Sequence, residues 1–232
     1  MIYRTYAPLF PLSQFVEWFW FYEGYEPEHR KERLLPNGAM ELVIDLCEAP
    51  KRLFDRRDQT VSRPYRRSWI SGTHSEFIII EAAPQSSMMG IHFKPGGAFP
   101  FFDFPVTELT DSVFELEAIW GAASIHLRDQ LIEEQNPMDK FRVLEVFLLG
   151  IGRKPLTPAK AVSFALRHFC TEPHAIAISK VSDQLGMSQK HFIQEFSKQV
   201  GVTPKLFCRI RRFQRVLQLL EQEKPVEWAD IA

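Results

Sequence analysis

The chain has 232 residues, 45% of them hydrophobic, and 28 Lys/Arg against 29 Asp/Glu give a formal net charge of −1. That length accommodates two domains, each able to bury a core, and the composition excludes a disordered, collagen-like or low-complexity chain. No apolar run reaches the roughly 20 residues of a membrane helix, and Met1 leads into Ile2-Tyr3-Arg4-Thr5-Tyr6 rather than a signal peptide. Three scattered cysteines, Cys47, Cys170 and Cys208, suit free thiols in a reducing cytoplasm.

Residues 1–110 read mainly as strands. Ile2, Tyr6 and the aromatic run Trp18-Phe19-Trp20-Phe21-Tyr22 come first, and Asn37-Gly38 is a turn signal just before a strand from Met40. Glu41-Leu42-Val43-Ile44-Asp45-Leu46 alternates with period two, as does part of Met88-Met89-Gly90-Ile91-His92-Phe93. Trp69-Ile70 and Phe77-Ile78-Ile79-Ile80 add short strands, with Ala83-Pro84-Gln85-Ser86-Ser87 as a turn. Many short strands at close spacing predict a small antiparallel barrel or sandwich. Enzymatic chemistry is not expected of it. His74 and His92 are isolated, there is no His-x-His pair, and Glu41 joins them only if the fold brings it there, so no metal or cofactor is expected. No nucleophile-elbow pattern supports a Ser-His-Asp triad. Gly96-Gly97 reads as a turn, and the aromatics of residues 99–105 as core or pocket wall.

Residues 111–152 read as connector helices, with caps available in residues 107–112. Leu127, Leu131, Phe141, Leu144, Phe147 and Leu148 offer apolar faces to the barrel or to a second copy of the chain. Gly150-Ile151-Gly152-Arg153-Lys154-Pro155 is the best interdomain linker, and residues 153–232 form the second domain. Thr157-Pro158 caps a scaffold helix that turns Ala161, Val162, Ala165, Leu166 and Phe169 inward. Charge divides at the same place. From Ile151 onward there are 13 basic and 7 acidic residues, leaving 15 basic and 22 acidic before it. A basic half joined to an acidic half suggests that only one of them meets nucleic acid.

The most informative stretch is residues 178–221. Ile178, Val181 and Leu185 share one face of a short helix, Gly186 ends it, Met187 plugs the corner and Ser188 is an N-cap for the next helix. There Phe192, Phe196 and Val200 turn inward and leave Gln189, Lys190, Gln194 and Lys198 outward, amides and ammoniums that a DNA major groove accepts. An ordinary pair of packed helices shows the same apolar stripe. Gly201-Val202-Thr203-Pro204 then closes one helix and caps another, whose predicted buried stripe is Phe207, Ile210, Phe213, Val216, Leu217 and Leu220. Between Ser188 and Arg215 seven Lys/Arg face one acid, Glu195, which fits a phosphate-facing surface.

Gly-Met-Ser before Phe192 and Phe196, then Gly-Val-Thr-Pro, Phe207, Arg212, Phe213 and Leu219-Leu220, resemble the AraC-type transcriptional regulators over about the last seventy residues. The resemblance implies a unit of two helix-turn-helix motifs joined by a long helix that starts near Thr203. By the same resemblance Lys190 and Gln194 occupy positions that face bases or phosphates; with the cap Ser188, the outward Gln189 and Lys198, and Arg211 and Arg212 beside the stripe of the following helix, they make up the expected site on double-stranded DNA. Ile193 offers only a methyl contact to thymine, and Val216 stands where the family usually has alanine. Pro225-Val226-Glu227-Trp228-Ala229-Asp230-Ile231-Ala232 resembles the start of the second motif, whose remainder is absent from the sequence. Leu35-Pro36-Asn37-Gly38 with Glu41-Leu42-Val43, Phe93-Lys94-Pro95-Gly96-Gly97-Ala98 and Trp120-Gly121 resemble the sensor-like domain of one AraC-type subgroup. That implies an α+β protein: a cupin-like antiparallel barrel for a small-molecule effector or a homodimer contact, then an all-α DNA-binding domain. A rival is a small-molecule-binding or oligomerisation protein that has lost DNA binding with its shortened end. An alkyl-transfer repair protein needs an activated cysteine, for which Cys47 looks unsuitable.

Overall fold

Alternating strands come first and amphipathic helices follow, the α+β order expected from the sequence. In the computed structural model, which describes residues 1–171 and 177–221, the strands form two antiparallel sheets. The larger has the order β1-β2-β9-β4-β7-β10, from β1 (Ile2–Tyr6), β2 (Val16–Tyr25), β9 (Ser86–Phe93), β4 (Glu41–Asp45), β7 (Ser68–Ser71) and β10 (Val113–Glu115). The smaller has the order β3-β8-β5-β6, from β3 (Lys31–Leu34), β8 (Ile78–Glu81), β5 (Lys51–Phe54) and β6 (Ser62–Tyr65).

Register decides what each face of the larger sheet does. Phe19 lies opposite Ile91, Ile91 opposite Leu42 and Leu42 opposite Ile70, so one face is a continuous apolar row. It is covered by α1 (Glu117–Trp120), α2 (Ala122–Glu133) and α3 (Pro137–Ile151), whose Leu127, Leu131, Phe141, Leu144 and Leu148 enter the same core. The connector's main apolar face therefore packs on the sheet. Each such fully buried side chain contributes roughly 1.5–3 kcal/mol. The opposite face meets the smaller sheet, with Lys51 3.4 Å from the Asp45 carboxylate and the Tyr65 and Trp69 rings 6.3 Å apart. Buried Arg128 pins α2 to the end of β4, donating to the carbonyls of Asp45 (2.7 Å) and Cys47 (2.8 Å).

A second core is built by α4 (Lys160–Thr171), α5 (Ile178–Gln184), α6 (Gln189–Val200) and α7 (Pro204–Glu221). Phe169 and Phe207 each meet Phe196 edge-on, at 5.7 and 5.8 Å. The interdomain segment does not swing free. The backbone N–H groups of Arg153 and Lys154 donate to the Pro100 carbonyl, and the Lys154 ammonium donates to that of Phe102. No helix among the described residues is long and apolar enough to cross a membrane.

Several expectations are corrected. β3, β5, β6 and β10 were not anticipated, because Lys31-Glu32-Arg33, Lys51-Arg52 and Arg63-Pro64 carry no apolar alternation; Pro64 is tolerated because β6 is an edge strand. β10 carries the larger sheet past residue 110. α4 begins at Lys160, beyond the expected Thr157-Pro158 cap. The stripe of α7 is buried only at its start: Phe207 and Ile210 are enclosed, whereas Phe213 is 38% and Leu220 52% exposed. The resemblance to a second motif in residues 225–232 lies outside the described residues.

Gly201 closes α6 at φ 92°, and a Cβ there would stand 3.0 Å from the Thr73 hydroxyl. Gly150 has nothing within 4 Å of its Cβ position. Gly201→Ala should therefore cost about 1–2 kcal/mol, and Gly150→Ala, inside α3, should be neutral or stabilising by up to about 1 kcal/mol. Urea unfolding of the two variants checks the contrast.

Candidate nucleic-acid interface

α5 and α6 are joined by a four-residue turn. Gly186 adopts φ 64°, its N–H donates to the Asp183 carbonyl, and the Met187 N–H donates to that of Ser182 (3.0 Å). Val181 is fully buried, and Ile178, Leu185 and Met187 pack against the core. The Ser188 hydroxyl accepts from the His191 N–H (3.3 Å), so the expected cap is present. Thr203 likewise caps α7, accepting from the Leu206 N–H with Pro204 at the first helical position.

Along α6 exposure changes from one end to the other. Gln189, Lys190, His191 and Gln194 are exposed, while Glu195, Ser197, Lys198 and Gln199 are half-buried between the inward Phe192, Phe196 and Val200. The N-terminal half of this helix is thus open for a groove. His191 belongs to that open set although its lack of periodic neighbours gave no signal for it. Lys198 turns the other way, pairing with Glu195 at 4.0 Å and lying 6.0 Å from the Phe99 ring of the β-rich part. On α7, Arg211 and Arg212 are half-buried. The Nε of Arg211 is shut off from solvent with no hydrogen-bond partner among the described residues, and its charge bears on Cys170 of α4. Lys205, Arg209 and Arg215 are the exposed cations of α7. Of the seven expected DNA contacts, Ser188, Gln189, Lys190 and Gln194 form one surface, and Lys198, Arg211 and Arg212 do not share its openness.

The covered half of α6 is covered by the β-rich part. The Thr73 hydroxyl donates to the Val200 carbonyl (2.8 Å, buried), and the Thr110 hydroxyl to the Gly201 carbonyl. Gln214 of α7 donates to the Pro36 carbonyl (2.7 Å). Gly38, at φ 83°, lets the chain approach Phe207, whose ring would lie 2.8 Å from a Cβ placed there.

Inside the β-rich part, Glu41 and His92 come together while His74 stays apart. The Glu41 carboxylate accepts from the Trp20 indole and lies 2.5 Å from His92 Nδ1, and Trp18 stacks on His92 at 4.4 Å. No cluster of metal-ligating side chains occurs among the described residues. His74 Nε2 is 2.8 Å from the Ser71 hydroxyl, and its Nδ1 is 4.0 Å from Asp111. It borders a cavity of about 450 Å³ between the two sheets.

Two family models match the chain: a domain of unknown function (DUF6597) over residues 4–115, and the bacterial regulatory helix-turn-helix proteins of the AraC family over residues 172–208. Among solved structures, the chain is similar to an apo variant of ToxT from Vibrio cholerae strain SCE256, at 10% identity and TM-score 0.45 over 90% of this chain and 84% of that one. Wild-type ToxT with a bound unsaturated fatty acid gives 9% identity and TM-score 0.43, over 90% and 81%. The AraC-like transcriptional activator CuxR gives 9% identity and TM-score 0.30, over 93% and 78%. No curated protein sequence matches.

Burial lowers the pKa of His74 from the ordinary 6.5, against the opposing pull of Asp111. The unfolded chain therefore takes up a proton near pH 6.5 where the folded chain resists it. The contribution of neutral His74 to stability is complete above pH 6.5 and declines as pH falls below it. His74→Gln should make urea midpoints at pH 5.0 and 7.5 more nearly equal than they are in the parent chain.

Proposed function

We propose that this AraC-type regulator, a DUF6597 domain joined to the family's helix-turn-helix, reads duplex DNA with the open N-terminal half of α6. Ser188, Gln189, Lys190 and Gln194 enter the major groove, where an amide can bond an adenine edge and an ammonium a guanine or a phosphate. Lys198, Arg211 and Arg212 supply charge at the flank, where side-chain rotation is needed before any of them reaches a phosphate. Residues 153–232 are the reading unit, and residues 1–110 with the connector 111–152 sense an effector or pair two copies. The observation that carries the reading is the exposure gradient of α6: the end that a helix-turn-helix presents to bases is open, and the other end is held by protein.

A role in pairing copies has its own support. α3 spends its inner face on the core yet still exposes Met138, Val146 and Leu149 on the outside, with Val146 71% exposed. Two copies joined there present two reading helices to two half-sites, and a linked pair gains avidity without any new base contact. Val146→Glu should then shift the mass in solution toward one chain and weaken binding to a paired site more than to a single half-site, as read by light scattering and mobility shift.

Gln194→Ala should reduce discrimination between target and random duplex by about 1–3 kcal/mol if its amide makes a bidentate base contact. Lys190→Ala should weaken binding on every sequence if it meets phosphate, and flatten the dependence on salt by about one unit of slope. A salt titration on both duplexes tests the pair. Parent-like binding by both variants would remove α6 as the reading element.

A further inference from the structure

We propose that Ser71, His74 and Asp111 form an acyl-transfer site that hydrolyses small aryl esters held in the cavity between the two sheets. The site stands apart from DNA reading and does not depend on it. Ile70 enters the helix-covered core, so its neighbour Ser71, at the end of β7, points from the opposite face toward the smaller sheet. There the Ser71 hydroxyl lies 2.8 Å from His74 Nε2, and the Asp111 carboxylate lies 4.0 Å from His74 Nδ1. The serine thus meets one ring nitrogen and the acid the other. In that arrangement an imidazole takes the proton of a hydroxyl while a carboxylate steadies the charge that forms. The second distance exceeds a hydrogen bond by about 1 Å, as is common before a substrate closes such a site. Asp111 is itself fixed. Its carboxylate accepts from the backbone N–H and hydroxyl of Ser75, and its own N–H donates to the carbonyl of Thr73, the residue before His74 (3.1 Å).

The cavity supplies the rest. It holds about 450 Å³, and His74, Asp111 and Arg56 line it together with Phe54, Tyr65 and Phe114. That volume takes one aryl ring against the aromatic side chains. The acyl side is short, because Ser71 is only 9% exposed and stands in register between Glu41 and Val113. Arg56, whose charge bears on His74, pairs with exposed Glu76 through one nitrogen and keeps further N–H donors for an oxyanion. Burial keeps the His74 ring neutral at neutral pH, as a base must be. In the first step the Ser71 oxygen adds to the ester carbonyl carbon, and its proton passes to His74 Nε2. The bond to the aryl oxygen breaks and the departing phenol takes that proton. Water then adds to the acyl-serine and gives a proton to His74; the carboxylic acid leaves, and Ser71 regains the proton.

The probe is 4-nitrophenyl acetate, with nitrophenolate release followed on the full chain and the acetylated residue located by mass spectrometry. Release above the buffer rate is expected, with the acetyl group on Ser71. Ser71→Ala should remove both. His74→Gln, which keeps a polar partner for Ser71 but no base, should slow release about 100-fold or more. Release should rise with pH as His74 loses its proton, at a midpoint below 6.5, and then level off, with Asp111 and Arg56 the charges that bear on that ring. A fluorophosphonate should label Ser71 in the parent chain, a measurement that needs no variant and so is untouched by any folding defect. Parent-like release by Ser71→Ala or His74→Gln, acetyl confined to lysines, no fluorophosphonate on Ser71, or a rate still climbing at about pH 8 would each overturn the proposal.

Discussion

A helix must find partners for its last carbonyls, and in α6 two of them, Val200 and Gly201, find threonine hydroxyls from the β-rich part. Much of the arrangement follows from this. The C-terminal half of α6 is drawn against Thr73, Thr110 and the segment around Phe99, so its outward side chains lose the freedom that those of the N-terminal half keep. Gly201 is required twice over, for its left-handed turn and for the space that Thr73 occupies. What remains open on the helix is the end nearest Ser188, where base recognition by such motifs is concentrated.

The contact between the two cores is both polar and apolar. Thr73, Thr110 and Gln214 provide directional bonds, and Gly38 against Phe207 provides close packing. Interfaces between domains of one chain are ordinarily adjustable. Here the tethering of Arg153 and Lys154 to Pro100, and of the Lys154 side chain to Phe102, removes slack from the linker as well. Burial and the neighbouring Lys198 lower the Lys154 pKa while Asp103 opposes them, so holding this ammonium at the joint carries a desolvation cost. The joint between the halves thus includes a few directional bonds that can be named and removed one at a time.

Much of this was legible in the sequence, for physical reasons that also explain the gaps. The glycines at 186 and 201, the caps at Ser188 and Thr203, and the period-four phenylalanines of α6 are local signals, and each sits where it was expected. The strands with clean alternation, such as Glu41–Asp45, were equally plain. Strands of the smaller sheet were not, because Lys31–Leu34 and Ser62–Tyr65 keep much of their charge in solvent and show no apolar period. Nor could periodicity tell Lys198 from Lys190. Both lie on the outward face of an isolated helix, and only the docking of the β-rich part separates them. Asn37-Gly38 read as a turn; the use of Pro36 and Gly38 as a seat for α7 depends on contacts across more than 160 residues of chain.

The division of charge acquires a meaning from this geometry. The chain's nearly neutral total conceals 13 basic and 7 acidic residues after position 150 against 15 and 22 before it. A polyanion is drawn to the first set and repelled by the second. α6 is fastened to the acidic part at its C-terminal end, through Thr73 and Thr110, while Gln189, Lys190 and Gln194 stand exposed toward its other end. Lys205, Arg209 and Arg215 on α7 remain exposed, whereas Arg211 is half-buried, with its charge felt at Cys170. Lys198 is drawn in by the docking of the β-rich part and Arg211 by α4 within the helical part, so the cations left exposed on α6 and α7 are set by two different contacts.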